Sequence, residues 1–222
     1  MKILLVAATS AEISPFLDFL KSRHQILATN HYLTPHHDIE IVITGVGMVA
    51  TTFQLTKKLA QHHYDWVIQA GIAGSYDKQL ALGALCWVQS DRMGDLGAED
   101  RYRFLDIFDL ALQDPNETPY MDGCLWNPLL ELPFGITAIK TSALSVNTTS
   151  GSEPTIATRS NKYHAQLESM EGAAFHWVCL QYGVPFLQLR SISNYVEPRD
   201  KDKWDIHKAI EALNHSLKSA LG

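Results

Sequence analysis

The sequence predicts an α/β fold in which a central mixed, mostly parallel sheet lies between two layers of helices. Short apolar runs rich in β-forming residues alternate with segments of helical periodicity, and several of these runs end directly in glycine turns. Such alternation favours parallel pairing and a sheet covered on both faces, which makes a three-layer αβα architecture. Because 46% of the 222 residues are hydrophobic and 19% charged, residues 1–222 are expected to form one domain.

Two strand–helix units are predicted at the start of the chain. The run KILLVAA predicts a strand, and TSAEISPFLDFLKS, with apolar residues at helical spacing, predicts the helix that follows. The run IEIVITGVG predicts a second strand that ends in glycines, and MVATTFQLTKKLAQHH predicts a second helix. The residues expected on the buried side of this second helix are Val49, Phe53, Leu55 and Leu59.

The rest of the chain continues the alternation with one exception. Strands are predicted in DWVIQAGIAGSY, LGALCWVQS, GITAIKTSALS and VPFLQLRSIS, and helices at about residues 161–182 and 204–220. Residues 92–134 have mixed polarity, four prolines and no sustained period. Long irregular segments in compact domains are often functional, so this segment is a candidate for a role at the site.

The charge and the cysteine content exclude several classes of function. The net charge of −6 gives no general attraction to nucleic acid or to an anionic membrane, so a small neutral or mildly anionic ligand is expected. The apolar run at the N-terminus is too short for a signal peptide, and no later stretch reaches membrane-spanning length, which predicts a cytoplasmic protein. Cys86, Cys124 and Cys179 lack zinc-ligand spacing and are expected to be reduced.

Polar and glycine residues follow the predicted strands, where ligands gather in sheets of this kind. Glu12 follows the first strand, although a first-turn helical carboxylate explains it equally well. Gly45 and Gly47 follow the second strand, and Gly71 and Gly74 lie in the third, where a backbone could approach a ligand closely. Tight strand-to-helix turns explain either pair alone, and neither matches a Walker or Rossmann fingerprint. The histidine pairs lack partners at metal-ligand spacing, so no metal site is predicted.

Two further segments place polar groups beside apolar runs. Arg190, Ser193 and Asn194 end the strand in VPFLQLRSIS, where polar side chains could face the ligand or simply leave the core. The stretch ESMEG carries Glu168 and Glu171 at the start of the apolar run AAFHWVCLQYG, where a carboxylate needs a partner to offset desolvation. A carboxylate accepts two vicinal sugar hydroxyls well, so a sugar is one expected partner, and backbone amides are the other.

These segments together resemble the nucleoside phosphorylase and nucleosidase family. ESMEGAAFHWVC, GVPFLQLRSISN, TGVGMVAT and QAGIAG occur in the family's order, and the resemblance covers nearly the whole chain from Lys2 to the last helix. It implies a nucleoside phosphorylase-like fold and a small-molecule nucleoside substrate. It also implies that no metal or organic cofactor is required, and that the chain forms a homo-oligomer with the ligand pocket near a subunit boundary.

The resemblance also implies roles for individual residues. Glu171 matches the family's ribose-binding glutamate, and Met170 would lie against the apolar face of the sugar. Glu12 matches the glutamate that takes a proton from the attacking water in the hydrolase branch, and Arg190 the arginine that helps to orient it. Glu168 matches no catalytic position and is expected to be a first-turn helix carboxylate. Gly45, Gly47, Gly71 and Ser193 complete the set of substrate-binding candidates.

Two departures from the family pattern narrow the activity. The phosphorylase branch usually has an arginine soon after the first strand to hold phosphate, whereas AATSAEI has none, so water is the expected nucleophile. Asn194 stands where nucleosidases of adenine nucleosides have an aspartate, and its two N–H donors suit N7 and the 6-oxo oxygen of hypoxanthine. The sequence therefore predicts hydrolysis of a 6-oxopurine nucleoside. A phosphorylase, an adenine-type nucleosidase and a non-catalytic nucleoside-binding module remain the alternatives.

Overall fold

The computed structural model describes residues 1–101 and 103–222, and its helices and strands occur in the alternating order expected. The strands are β1 Lys2–Ala7, β2 Gln25–Ala28, β3 His31–Leu33, β4 Asp38–Ile43, β5 Trp66–Ser75, β6 Leu85–Met93, β7 Gly97–Asp100, β8 Arg103–Asp106, β9 Leu125–Trp126, β10 Ile139–Ser145, β11 Leu167–Ser169 and β12 Phe186–Tyr195. The helices are α1 Ser10–Arg23, α2 Met48–Gln61, α3 Glu153–Tyr163, α4 Gly172–Tyr182 and α5 Ile206–Leu221.

A ten-stranded mixed sheet forms the middle layer, in the order β11, β10, β6, β12, β5, β1, β4, β3 and β2, with β9 paired to β6. The long central pairings of β1 with β4, β1 with β5 and β5 with β12 are parallel. Antiparallel pairing occurs where β6 meets β12 and in the hairpins of the β2–β3–β4 edge. Because β1, β5 and β12 run in the same direction, their carboxyl ends meet at one edge of the sheet.

Helices cover both faces of this sheet and divide the core in two. On one face, α1 and α5 bury Phe16, Leu20, Leu213 and Leu217 against β1 and β5. On the other face, α2 and α4 pack together and bury Leu55, Phe175 and Val178 among other apolar side chains. The predicted three-layer αβα fold with a central mixed sheet is confirmed.

The buried side of α2 differs from the one that its sequence predicts. Leu55 is fully buried and Leu59 partly so, but Val49 is 82% exposed and Phe53 is 63% exposed. The helix has apolar residues on more than one face, so its sequence marks two apolar surfaces and does not say which one the fold covers. Only the surface that carries Leu55 meets α4 and the sheet.

The helix predicted at residues 161–182 is wrong. The structure has the end of α3, the strand β11 and α4 in this range, and α3 itself begins earlier than predicted, at Glu153. His164 ends α3 in a left-handed conformation, with φ of 49°, and residues 167–169 then pair with β10. The start of α3 carries a helix signal that the periodicity does not show, because Ser152 is a good N-cap and Pro154 suits the first turn.

The segment 92–134 contains three short strands, β7, β8 and β9, joined by turns. Cys86, Cys124 and Cys179 are free and buried. Within residues 1–101 and 103–222, no helix is long and apolar enough to cross a membrane.

Candidate active site

A cavity of about 360 Å³ lies at the edge of the sheet where β1, β5 and β12 end. Its wall includes five of the residues that the sequence singles out as site candidates: Glu12, Met170, Glu171, Ser193 and Asn194. The parallel pairing of β1 with β5 and of β5 with β12 brings these distant parts of the chain to one place. This cavity is called the central cavity below.

Glu12 presents its carboxylate to the central cavity from the first turn of α1. The backbone N–H and the hydroxyl of Thr9 donate to Oε2 over 2.9 and 3.1 Å, and the N–H of Ile72 on β5 donates to Oε1 over 3.2 Å. Glu12 is only 8% exposed, so these donors compensate much of the cost of burying a carboxylate. A carboxylate has about four lone-pair sites, so Glu12 can still accept a hydrogen bond from a water in the cavity.

Asn214 of α5 supports the helical turn that carries Glu12. Pro15 lies inside α1 and cannot donate a backbone hydrogen bond to Ala11, whose carbonyl accepts from the hydroxyl of Ser14 at 3.3 Å. At the next position along the helix, Nδ2 of Asn214 donates to the carbonyl of Glu12 over 2.8 Å, and Oδ1 accepts from the N–H of Phe16 over 2.9 Å. Asn214 is 1% exposed, and its amide therefore ties the C-terminal helix to the backbone of Glu12.

Glu171 is the N-cap residue of α4 and is 5% exposed. Its Oε1 accepts from the backbone N–H of Gly47 over 3.1 Å, and its Oε2 lies 3.4 Å from Nη1 of Arg190. Gly47 can donate in this way because it has φ of 96°, a backbone conformation that residues with a side chain rarely adopt. Gly45, with φ of 85°, forms the same turn. Both glycines therefore shape the turn that contacts Glu171.

Arg190 lies on β12 beneath the cavity and is 2% exposed. Besides Glu171, its guanidinium donates to Oε1 of Gln69 over 2.9 Å and to the carbonyl of Ile72 over 3.4 Å. In the described part of the chain its hydrogen bonds reach Glu171 and not Glu12, so its help in orienting Glu12 stays a prediction. A Cβ on Gly71 would lie 2.5 Å from Nη1 of Arg190 and 2.9 Å from Oε1 of Glu12.

Asn194 follows an irregularity in the pairing of β12 with β5 between Ile192 and Asn194, and such bulges change the direction of the next side chain. Oδ1 accepts from the hydroxyl of Ser193 over 2.8 Å, and Nδ2 donates to the carbonyl of Tyr195 over 3.0 Å. These two hydrogen bonds leave one N–H of the Asn194 amide to donate to a ligand, whereas the prediction from the sequence uses two. A Cβ on Gly74 would lie 3.2 Å from Nδ2, so the glycine allows the amide its position.

Glu168 is not a first-turn helix carboxylate, because it lies in strand β11. Its Oε1 accepts from the N–H of Ser150 over 2.7 Å, and Oε2 accepts from the hydroxyls of Ser150 and Tyr76 over 2.6 and 2.5 Å. Arg159 lies 3.5 Å from the same oxygen. Burial and the charge of Glu168 raise the pKa of Tyr76, so its hydroxyl stays protonated and donates. Glu168 therefore anchors the loop around Ser150 to the cavity wall.

A second buried polar cluster, which sequence reasoning missed, lies under the N-terminus of α4. Asp91 is fully buried, and its carboxyl accepts from the hydroxyl of Ser145 over 3.0 Å and from Nε2 of Gln188 over 3.3 Å. Burial raises the pKa of Asp91 to about 7. A Cβ on Gly172 would lie 2.2 Å from both Asp91 and Gln188, which explains why glycine follows Glu171 in ESMEG. Little in the sequence signals this cluster, since Asp91 and Gln188 lie within strands β6 and β12 and neither belongs to a recognised catalytic motif.

The fold and the cavity define a class of protein. A mixed three-layer αβα domain, with two buried carboxylates and an asparagine around one cavity at the strand ends, has the organisation expected of a nucleoside phosphorylase or nucleosidase. Residues 2–221 match the family described as the phosphorylase superfamily, and the chain belongs to this superfamily. The resemblance predicted from the sequence is confirmed.

Similarity to individual proteins supports the same assignment to the phosphorylase superfamily. A futalosine hydrolase of Thermus thermophilus is 30% identical over 180 residues, which cover 80% of this chain and 79% of the relative. A 5'-methylthioadenosine/S-adenosylhomocysteine nucleosidase of Tolumonas auensis is 26% identical over 194 residues, covering 81% of this chain and 78% of that protein. The solved structure of a futalosine hydrolase of Helicobacter pylori has the same fold, with a TM-score of 0.78 at 20% identity, covering 100% of this chain and 97% of that one.

Proposed function

We propose that this protein is an N-glycosyl hydrolase that cleaves futalosine to hypoxanthine and dehypoxanthine futalosine, a reaction of the futalosine route to menaquinone. The observation that carries the proposal is the central cavity, in which Glu12, Glu171 and Asn194 meet. The 30% identity to a futalosine hydrolase supports the choice of substrate. The segments GDLGAED, ESMEGAAF and RSISNYVEPRDKDKW also resemble futalosine hydrolases.

Glu171 is the residue that binds the ribose. The buried ion pair with Arg190 and the hydrogen bond from Gly47 keep its carboxylate in one position. A fixed carboxylate accepts hydrogen bonds from two vicinal hydroxyls and stabilises the positive charge that develops on the sugar in an oxocarbenium-like transition state. Met170, on the same cavity wall, would lie against the apolar face of the sugar.

Glu12 is the general base that activates water. Its donors, Thr9 and Ile72, come from the helix start and from β5, so the carboxylate is held in place before substrate binds. AATSAEI carries no arginine that could hold phosphate, which favours water as the nucleophile. A nucleoside-binding module would have no use for a second buried carboxylate at this position.

Asn194 recognises the base by hydrogen bonding and stabilises it as it leaves. Its unengaged N–H can donate to the purine while charge moves into the ring, but an amide cannot protonate the leaving group. Hypoxanthine therefore leaves in an anionic or tautomerised form that hydrogen bonds stabilise. Within the described residues no group of three side chains could hold a metal ion, and the mechanism invokes neither a metal nor an organic cofactor.

The first experiment incubates the protein with futalosine, inosine and 5'-methylthioadenosine, each with and without phosphate, and identifies the released base and sugar. We expect hypoxanthine from futalosine at a rate that does not depend on phosphate, and little adenine from 5'-methylthioadenosine. Strict dependence on phosphate would establish the phosphorylase alternative. Adenine release at a comparable rate would favour the adenine-type nucleosidase, and binding without release of any base would favour the nucleoside-binding module.

Replacing Glu12 or Glu171 should lower activity, and the two losses should have different causes. Glu12→Gln removes the base but keeps the ribose contacts, so kcat should fall by roughly 10²–10⁴ while futalosine still binds. Glu171→Gln should also weaken binding, because the sugar hydroxyls lose a charged acceptor and Arg190 loses its partner. Steady-state kinetics and calorimetric binding would be compared with Glu131→Gln, which changes an exposed glutamate far along the sequence from either residue. Near-normal kcat in Glu12→Gln would exclude it as the base.

Asn194→Asp should shift base preference toward adenine. The new carboxyl is partly buried, and burial raises its pKa, so it can keep a proton that donates to the carbonyl of Tyr195, as the amide does. The free N–H of Asn194 is then replaced by an oxygen lone pair, which accepts from a 6-amino group but repels the 6-oxo oxygen of hypoxanthine, at a cost on the order of 1–3 kcal/mol. The measurement is the ratio of kcat/KM for adenine and hypoxanthine nucleosides, with the exposed Asn161→Asp as control. An unchanged ratio would mean that Asn194 does not face position 6 of the base.

We also propose that the protein forms a homo-oligomer in the cytoplasm, as its family resemblance implies. The exposed Val49 and Phe53 of α2, together with Leu96, line an apolar groove of about 690 Å³ that two copies of the chain could cover. Phe53→Glu should convert the assembly to monomers in sedimentation velocity, whereas Leu130→Glu, at another exposed leucine, should not. A monomeric wild-type protein would contradict the proposed homo-oligomer. Recovery of the native protein from a membrane or secreted fraction would contradict the proposed cytoplasmic location.

A further inference from the structure

A stacked pair of side chains, Arg199 and Trp204, lies in the wall of the central cavity. The guanidinium carbon of Arg199 is 5.0 Å from the centroid of the Trp204 ring. Both residues line the same cavity as Asn194 and Glu171, and Arg199 is exposed to solvent. They follow β12 on the loop that leads to α5, so the pair stands at the solvent side of the site.

Backbone and side-chain contacts position this arginine. The N–H of Arg199 donates to the carbonyl of Gly151 over 3.3 Å, and Nη1 donates to the hydroxyl of Thr149 over 3.3 Å. These contacts join the loop after β12 to the loop around Ser150, which Glu168 anchors. The pair is therefore supported from both sides of the cavity.

The positive charge of Arg199 has no acidic partner among the residues that the structure describes. The nearby carboxylates are engaged elsewhere: Glu197 pairs with Lys78 and Lys203, and Asp200 pairs with Lys203. A guanidinium binds a carboxylate through two parallel hydrogen bonds, and an indole offers a flat surface for an aromatic ring. Together they present the two chemical features of an aromatic carboxylate.

Three other arginines that could bind a carboxylate lie elsewhere. Arg101 and Arg103 lie in the irregular segment and line a different pocket, of about 530 Å³, between the β7–β8 hairpin and α3. Arg159 lines that pocket too, but it is buried and pairs with Asp95 and Glu168. None of the three lines the central cavity.

We propose that Arg199 and Trp204 form the subsite for the aromatic carboxylate of futalosine, an inference that rests on the proposed function. With the ribose held at Glu171 and the base at Asn194, the pair is the cationic and aromatic part of the cavity that remains for the rest of the substrate. It selects futalosine over nucleosides that lack the aromatic acid, such as inosine. Because Arg199 is exposed, salt screens its attraction for the carboxylate, so affinity for futalosine falls as ionic strength rises.

The test measures binding by calorimetry in a Glu12→Gln background, so that turnover does not interfere. Arg199→Gln should weaken futalosine binding about tenfold, a typical loss for one charge-assisted contact, and should leave inosine binding unchanged. Arg199→Lys should keep part of the affinity, and Trp204→Leu should weaken futalosine binding at any salt concentration. Lys201→Gln removes an exposed positive charge from the same loop, outside the cavity wall, and should change neither affinity.

The outcomes separate this inference from the proposed function. Equal losses of affinity for futalosine and inosine in Arg199→Gln, or no loss for either, would overturn the subsite. Failure of the wild-type protein to hydrolyse futalosine would overturn the proposed function, while a loss confined to futalosine in Arg199→Gln would still support the subsite. A salt dependence of futalosine binding that persists in Arg199→Gln would assign the attraction to another charge and also count against the subsite.

Discussion

The ion pair between Glu171 and Arg190 is the interaction on which the arrangement of the site depends. Both side chains are almost fully buried, so each charge would be costly without the other. Arg190 reaches Glu171 from β12, and its guanidinium also donates to Gln69 and to Ile72 of β5. The pair thereby joins the start of α4 to the two central strands. The pair therefore keeps the Glu171 carboxylate, a charged hydrogen-bond acceptor, at the cavity. Its position is determined by three elements, α4, β12 and β5.

Close packing of backbone around these charged groups explains the small residues nearby. Gly71 leaves the space that Arg190 and Glu12 occupy, and Gly172 leaves the space for Asp91 and Gln188 under the start of α4. Neither position requires an unusual backbone conformation, so the constraint is the volume of a side chain. The site therefore holds several polar groups within one sheet edge without opening voids in the core.

The support of Glu12 extends to the last helix of the chain. Pro15 removes one helical hydrogen bond from α1, and the Asn214 amide contacts the next pair of backbone groups, the carbonyl of Glu12 and the N–H of Phe16. Glu12 is thus held by Thr9 and Ile72 at its carboxylate and by Asn214 at its carbonyl. A general base must keep its geometry before substrate arrives, and this network would give Glu12 such preorganisation in the role proposed for it.

The sequence by itself determined the α/β class, six of the twelve strands that the structure describes and the polar residues that end them, because these depend on local periodicity and on the convergence of parallel strand ends. It also predicted that Glu12, Glu171 and Asn194 lie at one site; all three line the central cavity, and their roles stay predictions. Only the tertiary structure decided which apolar surface of α2 is covered, and that Glu168 belongs to a strand. It alone brought Asn214 to α1 and placed Arg199 and Trp204 in the wall of the central cavity. These features depend on contacts between segments distant in sequence, or on which surface a neighbouring element covers. Local sequence patterns indicate neither.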